Sequence, residues 1–164
     1  MKTSKYYIDK LELSKHPEGG WFKEEYRSAE SIPSTALDNR FDAERSISTS
    51  IYFLLEKGAF SAFHRIKSDE TWHFYDGDSL NIHSISPQGE YKLYVLGLNI
   101  ENGELPQITV PHGDFFAAET NGSFTFVGCT VAPGFDFNDF EMPKKQDLSA
   151  LYPNHISLIE KYGY

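Results

Sequence analysis

Apolar and polar residues alternate along most of this chain, and the pattern is densest between Gly58 and Gly77. Two apolar-rich runs, Ala59–Ile66 and Thr71–Tyr75, flank the polar break Lys67-Ser68-Asp69. A period of two puts Phe60, Ala62, His64 and Ile66 on one face of a first strand. It puts Glu70, Trp72 and Phe74 on one face of a second. Asp76-Gly77 ends the second run with a two-residue hairpin signal. Further strands are predicted at Trp21–Tyr26 and Ser46–Glu56, then at Ser79–Ser86, Lys92–Asn99, Gln107–Val110, Phe115–Glu119 and Ser123–Ala132. Phe135-Asp136-Phe137 and Phe140 extend the last of these. Turn signals such as Pro87-Gln88-Gly89, Glu101-Asn102-Gly103 and Asn121-Gly122 recur about every ten residues, the rhythm of a β-sandwich or barrel. Several strands are apolar on both faces, as in Leu93/Val95 with Tyr94/Leu96. One face then fills a barrel, and the other packs on a second sheet or a second subunit.

A period near 3.6 occurs only towards the two ends of the chain. Tyr7, Ile8 and Leu11 predict a short helix over residues 4–13 capped by Ser4, which Pro17 and Gly19-Gly20 forbid from continuing. Residues Asp147–Tyr162 read as helical, with Asp147 or Ser149 as cap and Pro153 as an interruption. Residues 28–45 are polar and read as a long surface loop or hairpin excursion, placed to cover a pocket or to pack on a partner subunit. Without repeats or linkers, the 164 residues are read as one domain.

Composition narrows the class further. Thirteen Phe and ten Tyr against two Met favour strands and an aromatic interior over a helical bundle. A net charge of −9 argues against nucleic acid as a partner. The single Cys129 excludes an internal disulfide framework and a multi-cysteine zinc site. No stretch approaches transmembrane length, so no membrane partner is expected and a cytoplasmic location is the default.

His64 and Glu70 stand among Phe, Ile and Trp, where they form either a satisfied polar pair or a site. His73 and His83 are the candidate third ligands should a metal bind, although alternation sends His73 to the face opposite Glu70. Arg65, beside the same turn, is a candidate clamp for a ligand carboxylate or phosphate, with parity pointing it away from His64. Trp72, Phe74 and Phe116 are core residues or the stacking wall of a pocket. Cys129 reads as a buried small residue, and His16 and His155 as loop or surface residues.

Gly58, His64, Glu70 and Gly77 fall on the spacing of the first cupin motif, with Ile66 where that motif has its second histidine. Pro111-His112-Gly113 echoes the second motif, with Phe116 at its histidine position. Residues 16–28 (HPEGGWFKEEYRS), 49–80, 131–137 (VAPGFDF) and 151–155 (LYPNH) together resemble the fifth cupin family, a small family of domains of unknown function. The resemblance implies a mainly β cupin fold, a double-stranded β-helix or jelly-roll barrel with short N- and C-terminal helices, usually a homodimer. It also implies that two of the four usual metal ligands are missing, so cofactor use stands between none and one divalent metal held by His64, Glu70 and His73 or His83. A shorter likeness, Glu18 to Glu24, is similar to an element of the sugar-nucleotide 3,5-epimerases.

Three functions follow as expectations, each with a small molecule as partner. The first is an isomerase or epimerase acting on a sugar-like or keto-acid substrate, with His64 as base, Glu70 orienting it, and Tyr52 or Tyr94 as acid. The second is a non-catalytic ligand-binding cupin. The third is a metal-dependent cupin enzyme.

Overall fold

The structure is a computed structural model and describes residues 2–164. Helix α1 (Ser4–Leu11) leads into β1 (Ser14–Lys15) and β2 (Trp21–Arg27). A two-residue ladder, β3 (Ser31–Ile32) with β4 (Arg45–Ser46), precedes β5 (Thr49–Glu56). Strands β6 (Phe60–His64), β7 (Asp69–Gly77), β8 (Leu80–Ile85), β9 (Tyr91–Leu96), β10 (Gln107–Val110), β11 (Phe115–Thr120) and β12 (Phe124–Ala132) follow. Helices α2 (Lys145–Leu151) and α3 (Ile156–Tyr162) end the chain.

The long strands form two antiparallel sheets, a six-stranded one in the order β1-β2-β5-β12-β7-β10 and a four-stranded one in the order β6-β11-β8-β9. Inward residues of both, among them Phe53, Trp72, Ile82, Phe116 and Val127, merge into one buried cluster. This is the jelly-roll arrangement of two sheets closing on a shared core. The outward faces are covered in part by helices. Tyr7 of α1 stacks on Phe126 with ring centres 4.3 Å apart, while Leu148 and Ile159 of α2 and α3 pack on Phe63, Phe115 and Ala117. Among the described residues no helix is long and apolar enough to cross a membrane.

Several local expectations are corrected. Asp76-Gly77 does not close a hairpin: β7 pairs with β10 and β12, and β8 pairs with β9 and β11, so the chain crosses between sheets there. Gly77 is needed for the crossing, since its φ is +95° and a Cβ would lie 2.3 Å from the Phe124 carbonyl oxygen. Helix α1 is capped by Thr3, whose hydroxyl accepts from the Tyr6 N–H, while Ser4 instead donates to Glu56. The C-terminal helical tract starts at Lys145, with no side-chain cap, and divides at a 3-10 turn over Pro153–His155. Residues 135–140 do not continue β12. They form a bend and a 3-10 turn (Phe137–Asp139) that folds back over the barrel mouth.

Candidate functional site

The site begins with the turn between β1 and β2, His16-Pro17-Glu18-Gly19-Gly20. Gly19 lies at φ +113°, and a Cβ there would sit 2.1 Å from the Phe60 carbonyl oxygen. Only glycine lets the turn lie flat on β6. The contact is sealed by the Ala62 N–H, which donates to the Glu18 carbonyl oxygen at 2.8 Å. The Glu18 carboxyl is thereby buried in the barrel mouth. Its Oε1 accepts from the Ser61 hydroxyl at 2.8 Å, and its Oε2 lies 3.1 Å from His64 Nε2.

His64 ends β6 with its ring turned inward. Nδ1 lies 2.7 Å from the Ala62 carbonyl oxygen, which can only accept, so Nδ1 carries a proton. The Nε2–Oε2 contact then needs one proton between the two atoms, as an imidazolium facing a carboxylate or as an imidazole facing a carboxylic acid. Burial pushes His64 down and Glu18 up from their ordinary values. Both directions favour the uncharged form, with the proton resting on Glu18.

His16 adds a second imidazole, with Nδ1 3.3 Å from the Glu18 N–H and 3.4 Å from Oε2. Burial lowers its pKa as well, so it sits neutral beside the pair. Glu70 enters from β7, where it stands opposite Val131 of β12. Burial pushes its pKa up to about 7; nearby His64 pulls it down and Glu18 pushes it further up. The buried Cys129 thiol is held protonated, its pKa raised first by burial and then by the charges of Glu70 and Glu18.

These groups share one cavity of about 300 Å³. Phe22, Ile66 and the folded-back segment with Phe135, Phe137 and Phe140 supply the apolar part of the wall, and Glu24, Arg27 and Asp136 add charged groups. The Phe135 N–H donates to Thr49 Oγ1 at 2.9 Å, and the Asp139 carboxylate forms a buried two-pronged pair with Arg45 at 2.6 and 2.7 Å. At the rim, Arg27 is held by Glu24 through two hydrogen bonds of 2.9 and 2.7 Å.

Of the residues singled out from sequence, His64 and Glu70 meet in this cavity, but the carboxyl paired with His64 Nε2, at 3.1 Å, is Glu18. Trp72 and Phe74 belong to the core between the sheets, and Phe116 packs 4.2 Å from the His64 ring without lining the cavity. Arg65 points outward to Glu141 at 2.7 Å and over the Phe115 ring. Tyr52 faces Phe126 and Tyr75 on the outside of the six-stranded sheet, and Tyr94 packs against the core; neither reaches the cavity. His73 is also outside, 3.0 Å from Thr130 Oγ1. His83 lies under the C-terminal helices beside Tyr91 and Tyr162.

With Ile66 and Phe116 at two of the positions where cupins carry ligands, the donors present do not make the usual set. Among the described residues, no three or more His, Cys, Asp or Glu are arranged to hold a metal ion. The chemistry below therefore uses only the side chains. Sequence reasoning read His16 as a loop or surface residue, and it does stand in a loop, but buried at the cavity; Glu18 was given no role of its own. The available signal was His-Pro-Glu-Gly-Gly itself, a charged turn with two glycines and thus able to press against a strand.

A family model described as Cupin superfamily (DUF985) matches residues 5–143. The uncharacterized protein YML079W of Saccharomyces cerevisiae is 32% identical over 152 residues, covering 85% of this chain and 75% of that protein. Among solved structures, protein SO0799 from Shewanella oneidensis superposes with a TM-score of 0.91 at 41% identity, covering 100% of this chain and 99% of that one. A hypothetical protein from Leishmania major gives a TM-score of 0.91 at 34% identity, with 99% of each chain covered. An oxalate decarboxylase from Bacillus subtilis has a TM-score of 0.56 at 15% identity, covering 90% of this chain and 36% of that one. That likeness reaches the fold alone.

Proposed function

This chain belongs to the DUF985 family of the cupin superfamily, and from that premise we propose that it moves a carbon-bound proton in a small carbonyl compound, as an isomerase or epimerase. One observation carries the reading: a His64–Glu18 pair with one proton between its facing atoms shares a cavity with Glu70, whose pKa lies near 7. A protonated acid beside a carboxyl that ionises near neutrality is what enolisation needs.

The roles follow from this pairing. His64 Nε2 is already engaged with the proton it shares with Glu18, so the pair serves as the acid rather than as the base. Ionised Glu70 takes the proton from the carbon next to the carbonyl. The pair gives its shared proton to the carbonyl oxygen, and the product is an enol. The enol then returns its O–H proton to the pair as carbon is reprotonated: a proton from water on the other face of that carbon gives an epimer, and the proton held by Glu70, delivered to the former carbonyl carbon of an α-hydroxy compound, gives an isomer. Four carboxyls line the cavity, Glu18, Glu70, Glu24 and Asp136, against one arginine already bound to Glu24. An uncharged carbonyl compound suits this lining better than a keto acid.

Hydrogen-to-deuterium exchange in heavy water, followed by NMR over a panel of uncharged sugars, cyclic ketones and keto acids, tests the proposal. Exchange next to the carbonyl is expected to rise with pH through about 7, as Glu70 ionises, and to vanish in Glu70→Gln. Binding of panel members with no exchange at any pH would replace this reading by a non-catalytic ligand-binding one, which the apolar share of the cavity wall favours. A homodimer remains part of the proposal. Tyr75, 49% exposed beside Tyr52 on the outside of the six-stranded sheet, marks the face it would use, and light scattering of the purified protein tests it.

A further inference from the structure

The turn that brings Glu18 to His64 also delivers a second imidazole, which the proton transfer above does not use. His16 lines the same cavity with its side chain 7% exposed. Its Nδ1 accepts from the Glu18 N–H at 3.3 Å, so the neutral ring carries its hydrogen on Nε2. Burial keeps the ring neutral by pushing its pKa down. Among the described residues no oxygen accepts from His16 Nε2. Nor is that atom sealed in, since the buried polar side-chain atoms left unpaired are Trp72 Nε1, His83 Nε2 and Ser149 Oγ. A ring packed at right angles to Phe22, 4.5 Å away, thus keeps one N–H donor open to the cavity. The other nitrogen donors along the wall are engaged. His64 Nδ1 is directed to the Ala62 carbonyl oxygen, and Arg27 is bound to Glu24 through two hydrogen bonds.

Position counts as much as freedom. His16 Nδ1 and His64 Nε2 both approach one atom, Glu18 Oε2, at 3.4 and 3.1 Å. A ligand oxygen bonded to the His64–Glu18 pair therefore has the His16 ring beside it. We infer that the His16 Nε2–H binds a second, uncharged oxygen of the ligand, on the carbon next to the carbonyl, and so selects α-hydroxy carbonyl compounds over simple ketones. The free donor itself rests on the hydrogen bonds of the turn; only the placing of the carbonyl on the pair rests on the proposed reaction. The donor accepts a hydroxyl, ether or second carbonyl oxygen as its partner and refuses an ammonium group, which has no lone pair. A ligand without the second oxygen covers the donor and leaves it unpaired, and that is the source of the discrimination.

The test is a ligand-observed NMR titration of the full chain with matched pairs, α-hydroxyacetophenone against acetophenone and acetoin against butanone. In at least one pair the hydroxy compound is expected to bind about fivefold more tightly, the worth of one neutral hydrogen bond. Equal affinity within both pairs would overturn the inference. Two variants separate donation to the ligand from support of the turn. His16→Gln sets an amide N–H near the place of Nε2. His16→Asn sets an amide oxygen near the place of Nδ1, where it still accepts from the Glu18 N–H. With folding checked by circular dichroism, the preference is expected to survive in His16→Gln and to fall below about twofold in His16→Asn. The reverse pattern, loss in both variants or loss in neither would each overturn the donor role. If the variants do not fold, proton–nitrogen correlation spectra of the labelled parent decide. A His16 ring protonated at Nε2, with a signal that moves on adding the hydroxy ketone and not its partner, is expected. Protonation at Nδ1, or an unmoved signal, would overturn the inference. The proposed reaction fails separately: a hydroxy preference with no exchange of a carbon-bound proton sinks the acid–base reading and keeps the donor, while exchange on both members of a pair at equal affinity does the reverse.

Discussion

Two histidine–glutamate clusters are built into this barrel from nearly the same parts, and they differ in what lies next to them. Inside, His64 faces Glu18 at 3.1 Å, and a cavity opens beside the pair. Outside, under α3, His83 faces Glu119 at 3.6 Å, its Nδ1 meets the Tyr91 hydroxyl at 2.9 Å, and its ring stacks on Tyr162 at 4.7 Å. Tyr162 donates its hydroxyl to the same Glu119 carboxylate, and Lys161 lies 3.6 Å from it. The outer carboxylate thus has three partners and stays ionised. Burial would raise its pKa, but the Tyr162 hydrogen bond and the charges of Lys161 and His83 outweigh that and lower it. Glu18 has as many partners, Ser61, His64 and His16, but it is more deeply buried and its partners are neutral, so burial wins; Glu70 is raised likewise. A nearby ammonium and access to solvent, more than the number of partners, separate a cluster that fastens a helix from one that can trade protons.

The sharpest way to break the comparison is His64→Ala. It leaves the Glu18 carboxyl buried with only Ser61 and His16 near it, and opens a void against Phe116 and Phe140. A loss of about 4 kcal/mol in denaturant unfolding is expected, together with loss of exchange activity. The same truncation at His83 should cost less than half as much and leave exchange unchanged. Equal costs at the two sites would mean that the inner cluster is no more than a structural pair.

Next comes Glu70→Gln, read against pH. The Glu70 carboxyl has a folded pKa of about 7 against an ordinary value of 4.5. The native chain therefore holds a proton that the unfolded chain has released, and the associated stability is present below 4.5 and lost as pH rises through about 7. The variant escapes that loss. It should become progressively more stable than the parent between these values, by up to about 3 kcal/mol above neutrality. Unfolding curves from pH 5 to 9 measure this, and a constant offset across the range would show that Glu70 ionises normally.

Tyr162→Phe addresses the outer cluster. It removes the hydroxyl donated to Glu119 while keeping the ring that covers His83. A loss of about 1.5 kcal/mol is expected, as for a hydrogen bond to a charged group. Affinity for cavity ligands should not move, since the four-stranded sheet stands between the two clusters.

Strand parity made much of this legible. Alternation put His64 with Ile66 and Glu70 with Trp72 facing inward, and sent His73 outward, as the structure has them. What parity could not supply was contact across distant segments. Glu18 reaches His64 because Gly19 lets one turn lie against β6, a relation between residues 43 positions apart at Ser61. Phe137 and Phe140 reach the cavity because the chain folds back after β12 instead of extending it, and the Arg45–Asp139 pair that holds the fold-back spans 94 positions. Neither leaves a periodic trace. Asp76-Gly77 misled for the same reason: its local turn chemistry is satisfied equally by a hairpin and by a crossing between sheets, and only the pairing partners of β7 and β8 decide between them.

The smallest predicted effect separates the clusters by the direction of their pH response. His83 is lowered from its ordinary value, chiefly by burial, with Glu119 pulling up and Lys161 pushing down. Its stability contribution is present above 6.5 and is lost as pH falls, because the unfolded chain takes up a proton that the folded one refuses. Glu119, also lowered, loses its contribution in the same acid direction. The groups facing His83 are Tyr91 on β9, Glu119 on β11, and Lys161 and Tyr162 on α3; none of them has a carboxyl raised as Glu70 is. The acid limb of the stability curve is shared, since burial also lowers His16 and His64. Between pH 7 and 9 the alkaline limb belongs to the inner cluster, since the raised Tyr91, Tyr162 and Lys161 of the outer one start from ordinary values of 10.0 and 10.5. His83→Gln is therefore expected to cost about 1 kcal/mol at pH 8, where the hydrogen bond with Tyr91 is weakened. The deficit should shrink as pH falls below 6.5, and the limb above pH 7 should keep its shape. A change in that upper limb would mean that the two clusters are coupled through β11, which carries both Phe116 against His64 and Glu119 against His83.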